Sequence, residues 1–294
     1  GKSENYTATV TAGEWTLVGQ DYSAFAEGTL TVEATVTDVA GNTATSSDTI
    51  VKDTLADISV DFDGFGDEYY NSAEVNKGAL VGTVTNVEDG QDVTITITDV
   101  DGKSENYTAT VTAGEWTLVG QDYSNFAEGI LTVEASVTDV AGNTVTSSDT
   151  IVKDTLASIT AEFDDADNIL NTEEEKSVRL QGVVQNVEDG QTVDVTVTDS
   201  NNQSITLQTV VVAGAWSIDD VDLSAFVDGN ITIEAVTVDI AGNETTGTDS
   251  TGQINTVPPL IDIDTLSGFN ILDFRSGDLT TMQGPTNVAE GLPA

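Results

Sequence analysis

The chain has 294 residues, with 8 Lys or Arg against 51 Asp or Glu, a formal net charge of −43, and neither His nor Cys. A surface so acidic repels nucleic-acid phosphates and anionic lipid head groups, which argues against nucleic-acid and membrane-surface binding. Without His or Cys there is no disulfide framework, zinc finger, Cys–His pair or Ser-His-Asp triad; what remains is carboxylate and carbonyl oxygen, suited to hard cations such as Ca2+.

Hydrophobic residues still make up 38% of the chain, and its abundant Thr and Val favour pleated sheet. Disordered acidic tails lack such residues. The longest apolar run, Val210–Ala213, is far too short to cross a membrane, so no membrane insertion is expected.

Residues 1–53 match residues 102–154 at a shift of 101, with four differences: Ala24/Asn125, Thr29/Ile130, Thr35/Ser136 and Ala44/Val145. A diverged third copy aligns Trp216 with Trp15 and Trp116, and Ala241-Gly242-Asn243 with the triplets at 40–42 and 141–143. In chain order, residues 1–53 then read as the C-terminal half of a repeat. Complete repeats follow at 54–154 and 155–255. Residues 256–294, which hold all 4 prolines, read as the N-terminal half of a further, diverged repeat. The whole reads as a window on a longer array.

Within a copy the apolar pattern has period two. Leu30, Val32, Ala34 and Val36 alternate with Thr31, Glu33, Thr35 and Thr37, as Val93, Ile95 and Ile97 alternate with Thr94, Thr96 and Thr98. Such strands turn an apolar face inward and a polar face to water. Turn clusters separate them: Glu88-Asp89-Gly90, Asp101-Gly102, Ala113-Gly114, Ala127-Glu128-Gly129 and Ala141-Gly142-Asn143. Roughly seven short strands in about 100 residues predict an all-β chain of tandem immunoglobulin-like β-sandwiches, arranged head to tail as a rod. The single Trp of each copy is expected to plug the core.

An Asp-Thr boundary, an Asp-rich loop, Asn-x-x-Glu, Glu-Asp-Gly, Gly-x-Trp and Thr-Asp-x-Ala-Gly-Asn recur in both complete copies. In these motifs the chain resembles the bacterial Ig-like repeats of giant RTX-type adhesins and biofilm-associated surface proteins. The resemblance implies a secreted, extracellular location on a bacterial cell surface and an extender region stiffened by Ca2+. It also implies a non-enzymatic role, holding a distal binding domain away from the cell.

Chain polarity in a head-to-tail sandwich decides which loops share an end. The far-end loop of the first complete repeat carries Asp63, Asp67, Asn71 and Glu74; the next carries Asp164, Asp167, Asn171 and Glu174. Near-end candidates are Glu88, Asp89, Asp139 and Asn143, then Asp189, Asp239 and Asn243, with linker residues Asp53 and Asp154 between the ends. Where these loops converge, unpaired carboxylates repel, whereas Ca2+ would take six to eight such oxygens as ligands. The competing reading is that Asp and Gly sit in these loops because turns favour them.

The expected partners are therefore calcium ions and the neighbouring repeats of the same chain. Carboxylate pairs are unavoidable in a chain with 51 acids, but none sits amid a cleft-forming aromatic cluster as a glycosidase acid and base would, so no enzyme activity is expected. Two alternatives differ in class. A glycan- or surface-binding module requires an exposed aromatic patch, and aromatics are only 6%. A filament subunit would use the terminal half-repeats for head-to-tail self-association by strand complementation.

Overall fold

The computed structural model describes residues 1–63 and 66–258. The half-repeat expected over 256–294 lies almost wholly outside the described residues.

Two hydrophobic cores follow one another along the chain, one gathering residues between Ile58 and Ile151, the other between Ile159 and Ile254. In the first sandwich, Asp92–Thr98 lies between Ser104–Thr110 and Gly129–Thr138. Gly129–Thr138 also pairs with Thr144–Lys153, to which Tyr69–Tyr70 adds in parallel. The facing sheet is centred on Gly78–Thr85, which takes Asp57–Ile58, Asp61–Phe62 and Glu115–Gln121 as antiparallel partners. Period two dictates the packing: Val93, Ile95, Ile97, Leu131, Val133 and Ala135 have no exposed surface, while the Thr residues between them face outward. The fold is all-β, as the alternation predicts.

The second sandwich repeats this plan with one interruption. The last strand of the first is continuous over Thr144–Lys153, but its counterpart stops at Glu244–Asp249 and resumes as Gln253–Ile254. The pairing Val152↔Tyr69 becomes Gln253↔Ile169, so one extra residue is absorbed in between. Asp249 stabilises the break by accepting hydrogen bonds from Thr251 N at 2.8 Å and Thr251 Oγ1 at 2.7 Å.

Core exchanges between the copies are coupled. In the first, Gly78 makes room for Tyr123: a Cβ on Gly78 would stand 2.0 Å from the Tyr123 ring. In the second, Val178 and Leu223 occupy these places and Leu170 replaces Tyr70. Volume lost on one strand is supplied by its neighbour, which keeps both cores close-packed.

Buried Asp99 and Asp199 close the Asp-x-x-Gly/Asn hairpins from inside. Asp99 Oδ1 accepts from Asp101 N at 3.0 Å and Lys103 N at 2.9 Å, and its Oδ2 accepts from Ala127 N at 2.9 Å. The bond from Ala127 N, with those from Lys103 and Asp101, holds its carboxyl below the ordinary Asp range. A depressed folded-state pKa gives stability that is present above the unfolded value and is lost as pH falls through the folded one. In melting curves between about pH 5 and pH 2, Asp99→Asn is expected to flatten part of the acid limb. Superimposable pH profiles for the two proteins would refute this.

Residues 1–53 show what the strands before them contribute. Their sequence differs from 102–154 at four positions, yet their only strands are the hairpin Gly28–Thr37 with Thr43–Lys52. Trp15 is 51% exposed, while Trp116 is 2% exposed. Val10 and Tyr22 are likewise exposed where Val111 and Tyr123 are buried. Among the described residues no strands like those of Asp57–Thr98 pack on this segment, so its apolar face is left exposed.

Candidate functional site: the junction between repeats

The path from one sandwich to the next is tied down from three sides. Lys153, itself buried, donates to Phe126 O at 2.9 Å and to the Glu128 carboxylate, which in turn accepts from Thr155 N and Thr155 Oγ1, each at 2.8 Å. Asp154 N donates to Tyr70 O at 3.0 Å. The same staple stands earlier as Lys52, Glu27 and Thr54. At the end of the second sandwich Ile254 replaces the lysine, but Asp228 still accepts from Thr256 N at 3.2 Å and Oγ1 at 2.7 Å. Sequence reading treats Ala127-Glu128-Gly129 only as a turn. The signal that marks the staple is the recurring acid-Gly followed, about 27 residues on, by Asp/Asn-Thr.

The third tie is the Ala-Gly-Asn turn of the following sandwich. Asp239 Oδ1 accepts from Asn243 N at 2.7 Å and Asp239 Oδ2 from Asn243 Nδ2 at 2.8 Å, which fixes the amide. That amide also reaches the linker, donating to Asp154 O at 2.9 Å. Asp139 and Asn143 repeat the geometry at 2.8 and 2.7 Å, and Asn143 Nδ2 donates to Asp53 O at 3.2 Å. These bonds to Asn143 hold the Asp139 carboxyl below its usual range.

The far-end loop of the first sandwich meets this turn directly. Asn71 Nδ2 donates to Ala241 O at 3.0 Å, and Ser72 N donates to Asn243 Oδ1 at 2.8 Å. The turn is covered in consequence: Ala241 is 1% exposed and Asn243 4%, whereas the equivalent Ala141 is exposed.

The candidate acids divide into those that face the junction and those that do not. Burial pushes the Asp154 carboxyl above the ordinary Asp range, and the charges of Asp239, Glu128 and Glu188 add to the shift. Glu188 faces the junction because its carboxylate accepts from Ile240 N at 2.9 Å, as Glu88 accepts from Val140 N at 3.0 Å. Asp89 and Asp189 are directed instead to the neighbouring hairpin, accepting from Gly114 N at 3.4 Å and Gly214 N at 3.3 Å. Glu74 caps Asn71 N at 3.4 Å, and Glu174 caps Asn171 N at 3.0 Å. Asp67 accepts from Tyr69 N at 2.9 Å, and the Asp63 carbonyl accepts from the Tyr70 hydroxyl at 3.1 Å.

In the far-end loop of the second sandwich, Asp164 lies 3.6 Å from Arg179 Nε. Asp165 and Asp167 both accept from Ile169 N. Burial raises the Asp165 carboxyl, and the adjacent Asp167 raises it further. Among the described residues, no three acidic side chains converge on one point as a finished cation cage. The donor chemistry nevertheless suits a hard cation: oxygen only, with carboxylates at the junction that repel one another and, among the described residues, pair with no lysine or arginine apart from the one Glu128 holds.

No protein-family model matches the chain, and no curated protein matches it. Among solved structures, the tetra-tandem repeat in the extending region of a large adhesion protein is 37% identical over 84% of this chain and 62% of its own length, with a TM-score of 0.37. A Ca2+-stabilized adhesin that helps an Antarctic bacterium reach out and bind ice is 29% identical over 79% of this chain and 58% of its own, with a TM-score of 0.42. A bacterial immunoglobulin-like domain from the M. primoryensis ice-binding adhesin is 27% identical over 33% of this chain and 96% of its own, with a TM-score of 0.25. The chain thus spans about three fifths of the first two structures. The solved structures it resembles are repeat regions and Ig-like domains of large bacterial adhesins.

Proposed function

We propose that this chain is part of the extender of a secreted bacterial surface adhesin, a non-enzymatic spacer that projects a distal binding domain for adhesion or biofilm formation. Its working units are the Ig-like repeats 54–154 and 155–255, flanked by halves of two others at 1–53 and 256–294. The observation that carries this reading is the junction itself. Two complete sandwiches are joined by a short linker whose both neighbours grip it, so that length accumulates repeat by repeat.

Calcium is the second part of the proposal. Asp154, Asp239 and Glu188 form a negative field at the junction, and Asp63, Asp67, Asn71 and Glu74 line the loop that meets it. The corresponding positions for the neighbouring junctions are Asp53, Glu88 and Asp139 on one side, and Asp164, Asp167, Asn171 and Glu174 on the other. A cation there replaces carboxylate repulsion with shared ligation, stiffening the string of repeats.

For a site with Kd of about 10⁻⁴–10⁻³ M, 10 mM calcium raises stability by about 1.4–2.7 kcal/mol per site. Calorimetric melts across a calcium titration should therefore shift upward, with Asp154→Asn reducing the shift. A melting temperature indifferent to calcium and to chelator would return the acids to the role of solubilising turn residues.

A further inference from the structure

The last strand of each sandwich leads into the following repeat and takes any pull that the repeat transmits. The two complete repeats hold this strand differently. In the first, Thr144–Lys153 pairs with its neighbour without interruption, from Gly129↔Lys153 to Thr138↔Thr144. In the second, the continuous register runs only from Ile233↔Asp249 to Val238↔Glu244, and Gln253–Ile254 resumes as a separate short pairing with Gly229–Asn230.

Apolar burial divides in the same way. Ile151 is 3% exposed, and Val145 packs against the same core. Glu244–Asp249 has no apolar side chain, and Gly252 stands where Ile151 does. A Cβ on Gly252 would stand 2.5 Å from the Phe163 ring, and one on Gly247 2.5 Å from Ile159 O, so this strand meets the opening of its own sandwich through backbone. Ile254 is the one apolar anchor between 244 and 254. Two polar ties are also exchanged. Asp149 Oδ2 accepts from Phe62 N at 2.9 Å, joining last strand to first, whereas Asp249 turns back on its own chain to Thr251. Lys153, which holds Phe126 O and Glu128, gives way to Ile254.

We infer that residues 244–254 form a strap that opens before the rest of the molecule, so that under tension repeat 155–255 yields first and lengthens the chain while repeat 54–154 holds. Elements that open locally are those whose backbone hydrogen bonds have little apolar burial behind them. The pull also shears the strap along its own direction. Gln253–Ile254 lies parallel to Ile169–Leu170, held by Gln253 N to Asn168 O and Asn255 N to Leu170 O, each at 2.9 Å. In the first repeat the buried Lys153 adds a charge-assisted bond to the equivalent pairing. The strap belongs to a sandwich and not to the junction, so it coexists with linkers stiffened by a cation. Its opening is a property of the chain in solution; its use as a reserve of length rests on the extender reading.

Hydrogen exchange of the whole folded chain tests the strap without load. Amides of 244–254 should exchange at least about tenfold faster than those of 144–153, while the central strands 93–98 and 193–198 stay protected. Equal protection of the two last strands would overturn the inference. So would exchange of 193–198 at the rate of 244–254, because the second sandwich would then open as a whole. The chain has no native Cys, so cysteines added at its two ends allow it to be pulled in a single-molecule force experiment, which should show two unfolding events of unequal force.

Asp249→Ala, which removes the bonds to Thr251, should lower the force of the weaker event alone. Asp149→Ala, which frees Phe62 N, should lower that of the stronger alone, with unfolding curves to verify that each variant is folded. The same order is expected in calcium and in chelator. One force for both events, or the opposite assignment by the two variants, would overturn the inference. If the order holds while melting is indifferent to calcium, the calcium proposal falls and this one stands; if calcium raises melting but the events share one force, the reverse is true.

Discussion

Trp116→Ala is expected to lower the stability of the first sandwich by about 3–5 kcal/mol, whereas Trp15→Ala, in an almost identical stretch, should change stability by less than about 0.5 kcal/mol. The difference comes from what lies over each ring. Trp116 is 2% exposed and packs under Gly82, where a Cβ would stand 2.4 Å from its indole. Removing it leaves a void lined by residues of both sheets, which cannot collapse without moving Gly78–Thr85. Trp15 is 51% exposed, so its replacement opens no cavity. Denaturant unfolding of the two variants beside the parent tests this directly. Equal losses would show that residues 1–53 bury their tryptophan after all.

That comparison also shows how far the sequence can be read. Period-two alternation is local and survives in every copy, so strand type and inward face were legible from Val93-Ile95-Ile97 or Leu131-Val133-Ala135 alone. Strand formation is not local. Residues 3–9 and 104–110 share a sequence, but only the second segment finds Asp92–Thr98 beside it and becomes a strand. Sheet needs a partner before it is stable, and a repeat pattern cannot say which partners are present.

The junction was legible in outline only. Polarity places a far-end loop, a linker Asp and a near-end turn together, and Asn71, Asp154 and Asp239 do meet there. Composition drew attention to carboxylates, yet the groups that touch across the junction are two amides, a hydroxyl residue's N–H and main-chain carbonyls. Asp139 and Asp239 spend their oxygens on shaping the turn. Asp89 and Asp189 are drawn off to a hairpin one strand away. Glu188 was within reach of the same reasoning, since it adjoins Asp189, but direction around a turn is decided by which backbone N–H is free to donate. A list of residue types does not carry that information.

A single methyl group in the second sandwich should cost nearly as much as the loss of a tryptophan. At Gly182 a Cβ would lie 1.9 Å from Thr160 O and 2.5 Å from Trp216 Nε1. The Trp216 indole donates to that same Thr160 O at 2.9 Å. Gly182→Ala therefore forces the opening strand or the indole outward and breaks a buried hydrogen bond at the same time. Overpacking and the stranded donor together give an expected loss of about 3 kcal/mol. Gly190→Ala separates this from backbone strain: Gly190 has φ +95 with nothing near its missing side chain, so only the left-handed conformation is penalised, by about 1–2 kcal/mol. Urea unfolding, with the near-ultraviolet circular dichroism of Trp216 as a local probe, should rank Gly182→Ala well below Gly190→Ala and show a weakened indole signal. Equal midpoints would mean that the strand yields freely at Thr160, and that the close approach of backbone to indole is not what holds the two sheets of this repeat at their spacing.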